Sequence, residues 1–251
     1  MKGLKKKRVL ITGGAGGIGK TAAARFLEEG SRVVIMDQDD EACLRAEEEL
    51  PTLEKSIHCD VSSPDSVKEA FAQLHRTLGG LDILINNAGI SLRHRFMDIT
   101  PEEWKRVIDI NLNGVFFVAQ EAARAMLAGD GGVIINMGST NGLAGYHYYA
   151  DYNASKSGVI ELSRSMALEL GPTIRVNAVC PGFIMTPMQE AEYTPEMQQA
   201  FYEKLPLKRL GKPDDVASLF AFLASEDASW ITGQYFVIDG GELAGGLASQ
   251  P

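Results

Sequence analysis

The sequence predicts an α/β fold in which a parallel sheet of seven strands carries helices on both faces. Short runs of consecutive apolar residues, such as Val33-Val34-Ile35-Met36, alternate with segments of helical periodicity from one end to the other. Strands that are apolar at successive positions are typical of a sheet covered on both sides. No linker or low-complexity segment interrupts the alternation, so we expect residues 1–251 to form a single doubly wound domain.

The first third of the chain contains four strand signals and three helix signals. The three helices end at residues that break helices, namely Gly30, Pro51 and the pair Gly79-Gly80. Ser63-Pro64 is a typical start for the third helix, because serine caps a helix and proline suits its first turn. We predict strands at 9–11, 33–36, 57–60 and 83–85, and helices at 20–29, 41–50 and 64–78.

The remainder of the chain continues the alternation with one exception. Three strand signals occur at 133–135, 175–179 and 235–238, and two long helical patterns surround the first of them. Residues 183–209 depart from the pattern, since they combine prolines with methionine, glutamine and glutamate. We expect a loop with a helical piece at about 183–209 that covers a substrate site.

A glycine-rich loop after the first strand satisfies two nucleotide-binding motifs at once. Gly14, Gly16 and Gly19 form the dinucleotide motif G-x-G-x-x-G, and Gly14 with Gly19-Lys20-Thr21 forms the triphosphate motif G-x4-G-K-T. Both motifs place backbone N–H groups and a helix N-terminus against phosphate oxygens. The loop therefore predicts an anion site, and the choice between the two motifs depends on other residues.

Asp37 at the end of the second strand favours a dinucleotide. It lies 20 residues after Gly17, where a carboxylate accepts hydrogen bonds from the hydroxyls of an adenosine ribose. A carboxylate repels a 2′-phosphate, and Gln38 brings no compensating cation, so we expect NAD and consider NADP the less favoured cofactor. In the rival interpretation Asp37 holds magnesium, but the sequence offers no clear candidate to activate water.

Tyr152 and Lys156 suggest a catalytic pair. They are four residues apart at the start of a helical pattern, so their side chains share one helix face. A tyrosine with a pKa near 10 is a poor base at neutral pH. A neighbouring ammonium stabilises the phenolate and lowers that pKa. Taken alone, the pair is weak evidence, because such pairs are common by chance and most lie on an ordinary helix surface.

Further motifs occur in a fixed order along the chain: Thr12-Gly13-x-x-x-Gly17-Ile18-Gly19, Asn86-Asn87-Ala88-Gly89, Asn111, Ser139, Tyr152, Lys156 and Pro181-Gly182. Together they resemble the short-chain dehydrogenase/reductase family in its single-domain form. The resemblance covers essentially the whole chain and implies a Rossmann-type sheet. It also implies that Lys20 is merely the first helix residue and that the triphosphate motif is a coincidence.

The resemblance implies a role for each of these residues. Tyr152 would exchange a proton with the substrate oxygen, while Lys156 would lower its pKa and bind the nicotinamide ribose. Ser139 would donate to the substrate oxygen, and Asn111 would hold a water that relays protons to Lys156. The implied cofactor contacts are Thr12, Gly13, Gly17, Ile18, Gly19, Asp37, Asp60, Val61, Asn87, Ala88, Gly89, Tyr152, Lys156, Pro181, Gly182, Ile184 and Thr186.

The sequence indicates substrate contacts less clearly than cofactor contacts. His94 follows the Asn86–Gly89 loop, His147 lies between the serine and the tyrosine, and Met185 and Met188 suit an adaptable apolar pocket. Each is also compatible with a solvated loop or a pocket wall. The histidines lack ligand spacing and no C-x-x-C pair occurs, so we expect no metal site.

Composition excludes several classes of partner. The net charge of −9 disfavours binding to a nucleic-acid backbone, and no apolar stretch approaches the roughly 20 residues that span a bilayer. No signal-peptide pattern is present, and the scattered Cys43, Cys59 and Cys180 suggest reduced thiols. We therefore expect a cytoplasmic protein, and the resemblance implies a homotetramer, with a dimer as the alternative.

The sequence thus implies an NAD(H)-dependent oxidoreductase that transfers a hydride between nicotinamide and a secondary alcohol or ketone. Three alternatives remain open. The first is a 3-oxoacyl-carrier-protein reductase that uses NADPH, which Asp37 and the net charge disfavour. The second is a dinucleotide-binding regulator without turnover, and the third is a nucleotidase built on the triphosphate motif.

Overall fold

Seven strands in the described part of the chain form one parallel sheet. The computed structural model describes residues 1–187, 189 and 194–244. The strand order is β3-β2-β1-β4-β5-β6-β7, and every neighbouring pair is parallel. This confirms the predicted fold class. The strands are β1 Arg8–Thr12, β2 Arg32–Asp37, β3 Lys55–His58, β4 Ile83–Asn86, β5 Gly132–Met137, β6 Ile174–Pro181 and β7 Tyr235–Ile238.

Helices cover both faces of this sheet. Phe26 of α1 and Phe220 of α8 belong to one apolar core, whereas Leu74 of α3 and Val118 of α5 belong to the other. The α-helices in the described parts of the chain are α1 Gly17–Glu28, α2 Asp40–Glu49, α3 Pro64–Leu78, α4 Pro101–Ile108, α5 Gly114–Leu127, α6 Ala150–Leu170, α7 Pro195–Lys204 and α8 Pro213–Ala224.

Strand β2 shows why the apolar runs are continuous. Its side chains alternate between the two cores: Val33 and Ile35 pack with α1 and α8, whereas Val34 and Met36 pack with α3. All four are fully buried. Successive residues of a strand point to opposite faces, so a sheet with two covered faces requires apolar residues at both.

The order of the strands creates a crevice beside β1. That strand pairs with β2 on one side and with β4 on the other, so the chain reverses its direction of travel across the sheet at this point. Ligands of such sheets bind at the carboxyl ends of the strands next to the reversal. Thr12, Asp37 and Asn86 end three of these strands, and the site is therefore expected there.

The segment expected to cover the site contains helix α7. The ring of Phe201 in this helix stacks on Phe183, with 3.9 Å between ring centroids. Residues 188 and 190–193 lie outside the described part of the chain. The covering role of this segment remains a prediction.

Candidate active site

A cleft of about 1030 Å³ lies along the carboxyl ends of the central strands. We call the part of the cleft near residues 13–18 and 36–38 its glycine-loop end, and the part near residues 139–156 and 181–187 its tyrosine end. Most residues predicted from the sequence line it. They are Gly13, Gly17, Ile18, Asp37, Asp60, Val61, Asn87, Ala88, Gly89, Ser139, His147, Tyr152, Lys156, Pro181, Gly182, Ile184 and Thr186.

Thr12 and Gly19 lie behind the glycine-loop end instead of lining it. The Thr12 hydroxyl oxygen accepts hydrogen bonds from the backbone N–H groups of Asn87 and Ala88, at 3.0 and 3.1 Å. A Cβ atom on Gly19 would lie 2.0 Å from the Gly13 carbonyl oxygen, so no other residue fits without displacing the loop. These two residues hold the loop against the end of β4.

The glycine loop fits a phosphate group in front of helix α1. Gly13 and Gly17 adopt left-handed backbone angles, with φ of +60° and +49°, which residues with a side chain rarely adopt. A Cβ atom on Gly16 would meet nothing within 4 Å, and this residue lines the cleft. Open space therefore faces the positive end of the helix dipole, as a dinucleotide pyrophosphate requires.

The position of Lys20 disfavours the triphosphate motif. A triphosphate-binding loop directs its lysine toward the phosphates. Here the Lys20 ammonium instead lies 2.7 Å from a carboxylate oxygen of Glu49 in helix α2. The lysine is therefore a surface ion-pair partner in this structure.

Asp37 presents a fixed carboxylate at the glycine-loop end. One oxygen accepts a hydrogen bond from the backbone N–H of Ala15 at 3.1 Å, and the other accepts from that of Asp39 at 3.3 Å. The next residue along the cleft wall is the neutral Gln38. The Asp37 carboxylate is thus a hydrogen-bond acceptor where a ribose would lie. No cation stands next to it on the same loop.

Helix α6 supplies the tyrosine–lysine pair at the other end of the cleft. The Lys156 ammonium lies 5.5 Å from the centre of the Tyr152 ring and donates a hydrogen bond to the Met137 carbonyl oxygen at 2.9 Å. Lys156 is only 2% exposed. Burial lowers the pKa of Lys156 to about 8, because a desolvated ammonium is less stable than a solvated one.

Ser139 follows strand β5 and belongs to the same wall of the cleft. Its hydroxyl oxygen accepts a hydrogen bond from the backbone N–H of Asn141 at 3.1 Å. That contact caps the short helical turn Thr140–Gly142 and fixes the serine backbone. The structure therefore brings Ser139, Tyr152 and Lys156 together in one cleft.

Asn111 lies behind the tyrosine end, in a turn that the sequence did not predict. Residues Asp109–Asn113 form a π-helical turn between α4 and α5, a feature frequent at functional sites. The Asn111 amide donates to the Ile90 carbonyl oxygen and accepts from the Ile90 N–H, both at 2.8 Å. A Cβ atom on Gly89 would lie 3.1 Å from the Asn111 oxygen and 3.5 Å from the Lys156 nitrogen. Asn111 therefore fixes the backbone of residues 89–90, which lies between its own side chain and Lys156.

The four candidate substrate contacts have different outcomes. His147 lines the cleft. His94 does not: its Nε2 atom lies 2.9 Å from an oxygen of Asp151, a fully buried carboxylate that holds the imidazole away from the cleft. Met185 is also absent from the cleft wall, and Met188 lies outside the described residues.

One polar pair in the cleft was not predicted as functional. The Tyr146 hydroxyl donates a hydrogen bond to Glu242 Oε1 at 2.6 Å, across 96 residues of sequence, and both residues line the cleft. Burial, aided by the Glu242 carboxylate, raises the pKa of Tyr146. No local pattern in the sequence marks Glu242.

Within the described ranges, no three His, Cys, Asp or Glu residues come together as a metal site. None of the helices described here is long and apolar enough to cross a bilayer.

The chain is similar to known proteins over nearly its whole length. A family model described as enoyl-(acyl carrier protein) reductase matches residues 13–242. A 3-oxoacyl-acyl-carrier-protein reductase from Thermotoga maritima is 39% identical over 95% of this chain and 98% of its own. A D-xylose 1-dehydrogenase from Caulobacter vibrioides is also 39% identical, over 95% of this chain and 96% of its own.

Solved structures agree with these relatives. The crystal structure of a short-chain type dehydrogenase/reductase from Mycobacterium marinum matches with a TM-score of 0.90 and 39% identity, covering 96% of each chain. The family uses a nicotinamide dinucleotide as its cofactor. The chain described here belongs to the short-chain dehydrogenase/reductase family of oxidoreductases.

Proposed function

We propose that the protein is an NAD-dependent dehydrogenase that interconverts a secondary alcohol and its ketone. The observation that carries this proposal is the arrangement of one cleft. Ser139, Tyr152 and Lys156 line its tyrosine end, while a carboxylate, Asp37, lines its glycine-loop end. A nicotinamide dinucleotide spanning these ends would have its ribose at Asp37 and its reactive ring near Tyr152.

The chemistry requires a proton acceptor and a polarising donor. NAD, when bound, supplies the carbon that accepts the hydride from the substrate carbinol. Tyr152 as phenolate removes the hydroxyl proton in the oxidative direction and returns it in the reductive one. Ser139 donates a hydrogen bond to the same substrate oxygen, which stabilises the charge that develops there.

Lys156 makes the tyrosine an effective base. Its ammonium lies 5.5 Å from the centre of the Tyr152 ring, and Lys156 is almost completely buried. Charges interact more strongly in such surroundings than in solvent, so the ammonium stabilises the phenolate. We propose that Asn111 supports this lysine through Gly89 and Ile90, and that it holds the water of a proton relay.

The cofactor contacts are part of the same proposal. The predicted residues that line the cleft would touch NAD directly, whereas Thr12 and Gly19 would act by holding the loop. Asp37 favours NAD over NADP because a 2′-phosphate would bring two negative groups together. Its two backbone hydrogen bonds keep the carboxylate from turning aside.

A second candidate is reduction of a 3-oxoacyl chain on a carrier protein with NADPH. The Thermotoga maritima relative favours it. Asp37 and the net charge of −9 speak against it, since a carrier protein is itself acidic. A regulator without turnover is disfavoured by the tyrosine, lysine and serine in the cleft, which a binding protein does not need.

The architecture beyond the site is also proposed. Phe116 on α5 is 43% exposed and Leu168 on α6 is 86% exposed. Exposed apolar side chains on these two helices suit an interface between copies, and we propose a homotetramer. We likewise propose that residues 1–251 form one domain, that residues 183–209 cover the substrate and that the protein is cytoplasmic.

Two experiments test the function. Purified protein is titrated with NADH, NADPH and ATP, and NADH is expected to bind at least about tenfold more tightly than NADPH. A panel of secondary alcohols is then assayed for NAD reduction at 340 nm. Tighter NADPH binding, with reduction of 3-oxoacyl thioesters, would favour the second candidate, and ATP hydrolysis would contradict both.

A further inference from the structure

The Tyr146–Glu242 pair carries an inference that rests on the proposed function and extends it to the substrate. Glu242 lies after strand β7, on the described part of the chain beyond the last strand. Its Oε1 atom accepts the hydrogen bond from Tyr146, but Oε2 is buried and has no hydrogen-bond partner among the described residues. Each such unpaired oxygen is costly.

The unpaired oxygen lies at the reactive end of the cleft. A Cβ atom on Gly182 would lie 2.8 Å from Glu242 Oε2. Gly182 lines the tyrosine end of the cleft. Rotation about the last bond of a glutamate side chain is broad and nearly two-fold. Glu242 itself lines the cleft, so a turn of its carboxyl group can bring this oxygen to a ligand there.

A chain of hydrogen bonds connects this pair with the serine. Asn141, whose backbone N–H donates to the Ser139 hydroxyl oxygen, donates from its side chain to Asn153 at 2.7 Å. Asn153 in turn donates to the Tyr146 carbonyl oxygen at 3.0 Å. The loop that places Tyr146 against Glu242 is thus fixed relative to Ser139.

We propose that Glu242, positioned by Tyr146, binds a second hydroxyl group of the substrate, which is therefore a small polyhydroxylated alcohol such as a vicinal diol or a sugar. The hydroxyl satisfies the buried oxygen for which the described residues provide no partner. A monohydroxy alcohol has no second hydroxyl for this task, and the carbonyl of an acyl thioester cannot donate a hydrogen bond to the carboxyl oxygen. A site built to bind a hydroxyl rejects analogues that lack it far more strongly than an apolar pocket rejects an added hydroxyl.

A neutral hydroxyl suits this carboxyl better than an ammonium does. Burial raises the pKa of Glu242 above its ordinary value, and the nearby Asp239 adds to the rise while the Tyr146 hydrogen bond opposes it. A carboxyl that resists ionisation gains less from a cation. The carboxyl accepts a hydrogen bond from a hydroxyl in either protonation state, and in its protonated state it can also donate one.

The test compares matched alcohols. Wild type, Glu242→Leu, Glu242→Gln and Tyr146→Phe are assayed with cis-1,2-cyclohexanediol and cyclohexanol, with 2,3-butanediol and 2-butanol, and with a series of aldoses. Wild type is expected to prefer the best polyhydroxylated substrate over its analogue by about tenfold or more in kcat/KM. Glu242→Leu should lower kcat/KM for that substrate about 10- to 100-fold and change the monohydroxy analogue less than about threefold.

Controls separate the possible failures. Glu169→Leu, which alters an exposed glutamate at the far end of α6, should leave both substrates and the preference unchanged. Glu242→Gln keeps the shape of the side chain and is expected to retain part of the preference, which guards against a folding defect in the leucine variant. NADH affinity is measured for every variant by fluorescence and should not change.

The outcomes distinguish this inference from the function on which it rests. If no secondary alcohol is oxidised with NAD, the proposed function itself fails, and the inference fails with it. Oxidation of monohydroxy alcohols at equal or higher kcat/KM would overturn the inference alone. So would a preference for 2-aminocyclohexanol, or a loss of NADH affinity in Glu242→Leu, which would place the carboxyl at the cofactor.

Discussion

The glycine-loop end of the cleft is shaped by backbone, whereas the tyrosine end is shaped by side chains that meet from distant parts of the chain. At the first end, Gly13 and Gly17 adopt left-handed angles and Gly19 lies against the Gly13 carbonyl. At the second end, Tyr146 meets Glu242 across 96 residues. Backbone sites restrict which residues are possible, and side-chain sites depend on which segments converge.

This difference has a functional consequence. A backbone site binds the part of a ligand that is common to all reactions of the family, because its geometry tolerates little variation. The side chains at the other end are free to change while the fold persists. We therefore expect substrate specificity to depend on the contacts that residues 140–149, 182–187 and 242 make with one another.

The strongest test of the tyrosine end within this comparison is Ser139→Ala. Removing the hydroxyl should lower kcat about 10²- to 10³-fold, the usual cost of losing one donor to a developing oxyanion. NADH affinity should stay within about threefold, because the glycine-loop end is untouched. Steady-state kinetics and fluorescence titration measure both quantities. Ser229→Ala, on the exposed surface, is the control, and a kcat close to wild type would remove Ser139 from the mechanism.

Lys156→Met tests the burial of the ammonium through stability. The folded-state pKa of about 8 lies below the ordinary value of 10.5, so the unfolded state binds more protons between these values. The stability of wild type relative to the variant should therefore be lowest below pH 8 and rise toward pH 10.5. One pKa unit corresponds to about 1.4 kcal/mol, so the total rise is on the order of 3 kcal/mol.

Denaturant unfolding at several pH values gives this difference. Comparing wild type with Lys156→Met at each pH cancels the contribution to stability of groups that titrate alike in both proteins. A difference that stays constant from pH 7 to pH 10.5 would contradict a desolvated ammonium at this position. A stability difference that falls as the pH rises would mean that folding raises the pKa of Lys156 and does not lower it.

Asp37→Ala combined with Gln38→Arg tests the choice of cofactor. The carboxylate that repels a 2′-phosphate is removed and a cation that attracts it is added. The ratio of NADPH to NADH affinity should rise about 10- to 100-fold, since charged hydrogen bonds contribute roughly 1.5–3 kcal/mol. The single variant Asp37→Asn is the matched control for loss of charge alone. Wild type that already prefers NADPH would refute the ribose argument.

Gly19→Ala and Gly16→Ala separate the structural glycine from the one that faces the ligand. A methyl group on Gly19 would lie 2.0 Å from the Gly13 carbonyl, whereas one on Gly16 meets nothing. We expect Gly19→Ala to lose about 1–3 kcal/mol of unfolding free energy. Gly16→Ala should change stability by less than about 0.5 kcal/mol but weaken NADH binding. Equal stability losses would contradict the glycine-loop geometry.

The sequence predicted those features that local geometry determines. The run 33–36 indicated a strand between two cores, and the structure divides its side chains between them. The glycine spacing placed the loop, and the four-residue spacing of Tyr152 and Lys156 placed both on helix α6. Each of these patterns follows from the residue spacing within a single strand, loop or helix.

Long-range pairing explains what the sequence could not provide. His94 looked like a substrate contact, but the buried carboxylate of Asp151, 57 residues later, binds its ring. Asn111 lies in a π-helical turn that no periodicity in the sequence indicated. Glu242 has no motif at all, and only the folded chain places its carboxyl against Tyr146.

The rate of NAD reduction by Tyr152→Phe tests the central claim most directly. The variant is assayed on the best secondary alcohol, with NADH affinity measured alongside and Tyr235→Phe on strand β7 as the control. Removing a general base should lower kcat about 10²- to 10⁴-fold while NADH affinity and the control stay near wild type. Turnover within tenfold of wild type would show that the phenol beside Lys156 does not carry the proton.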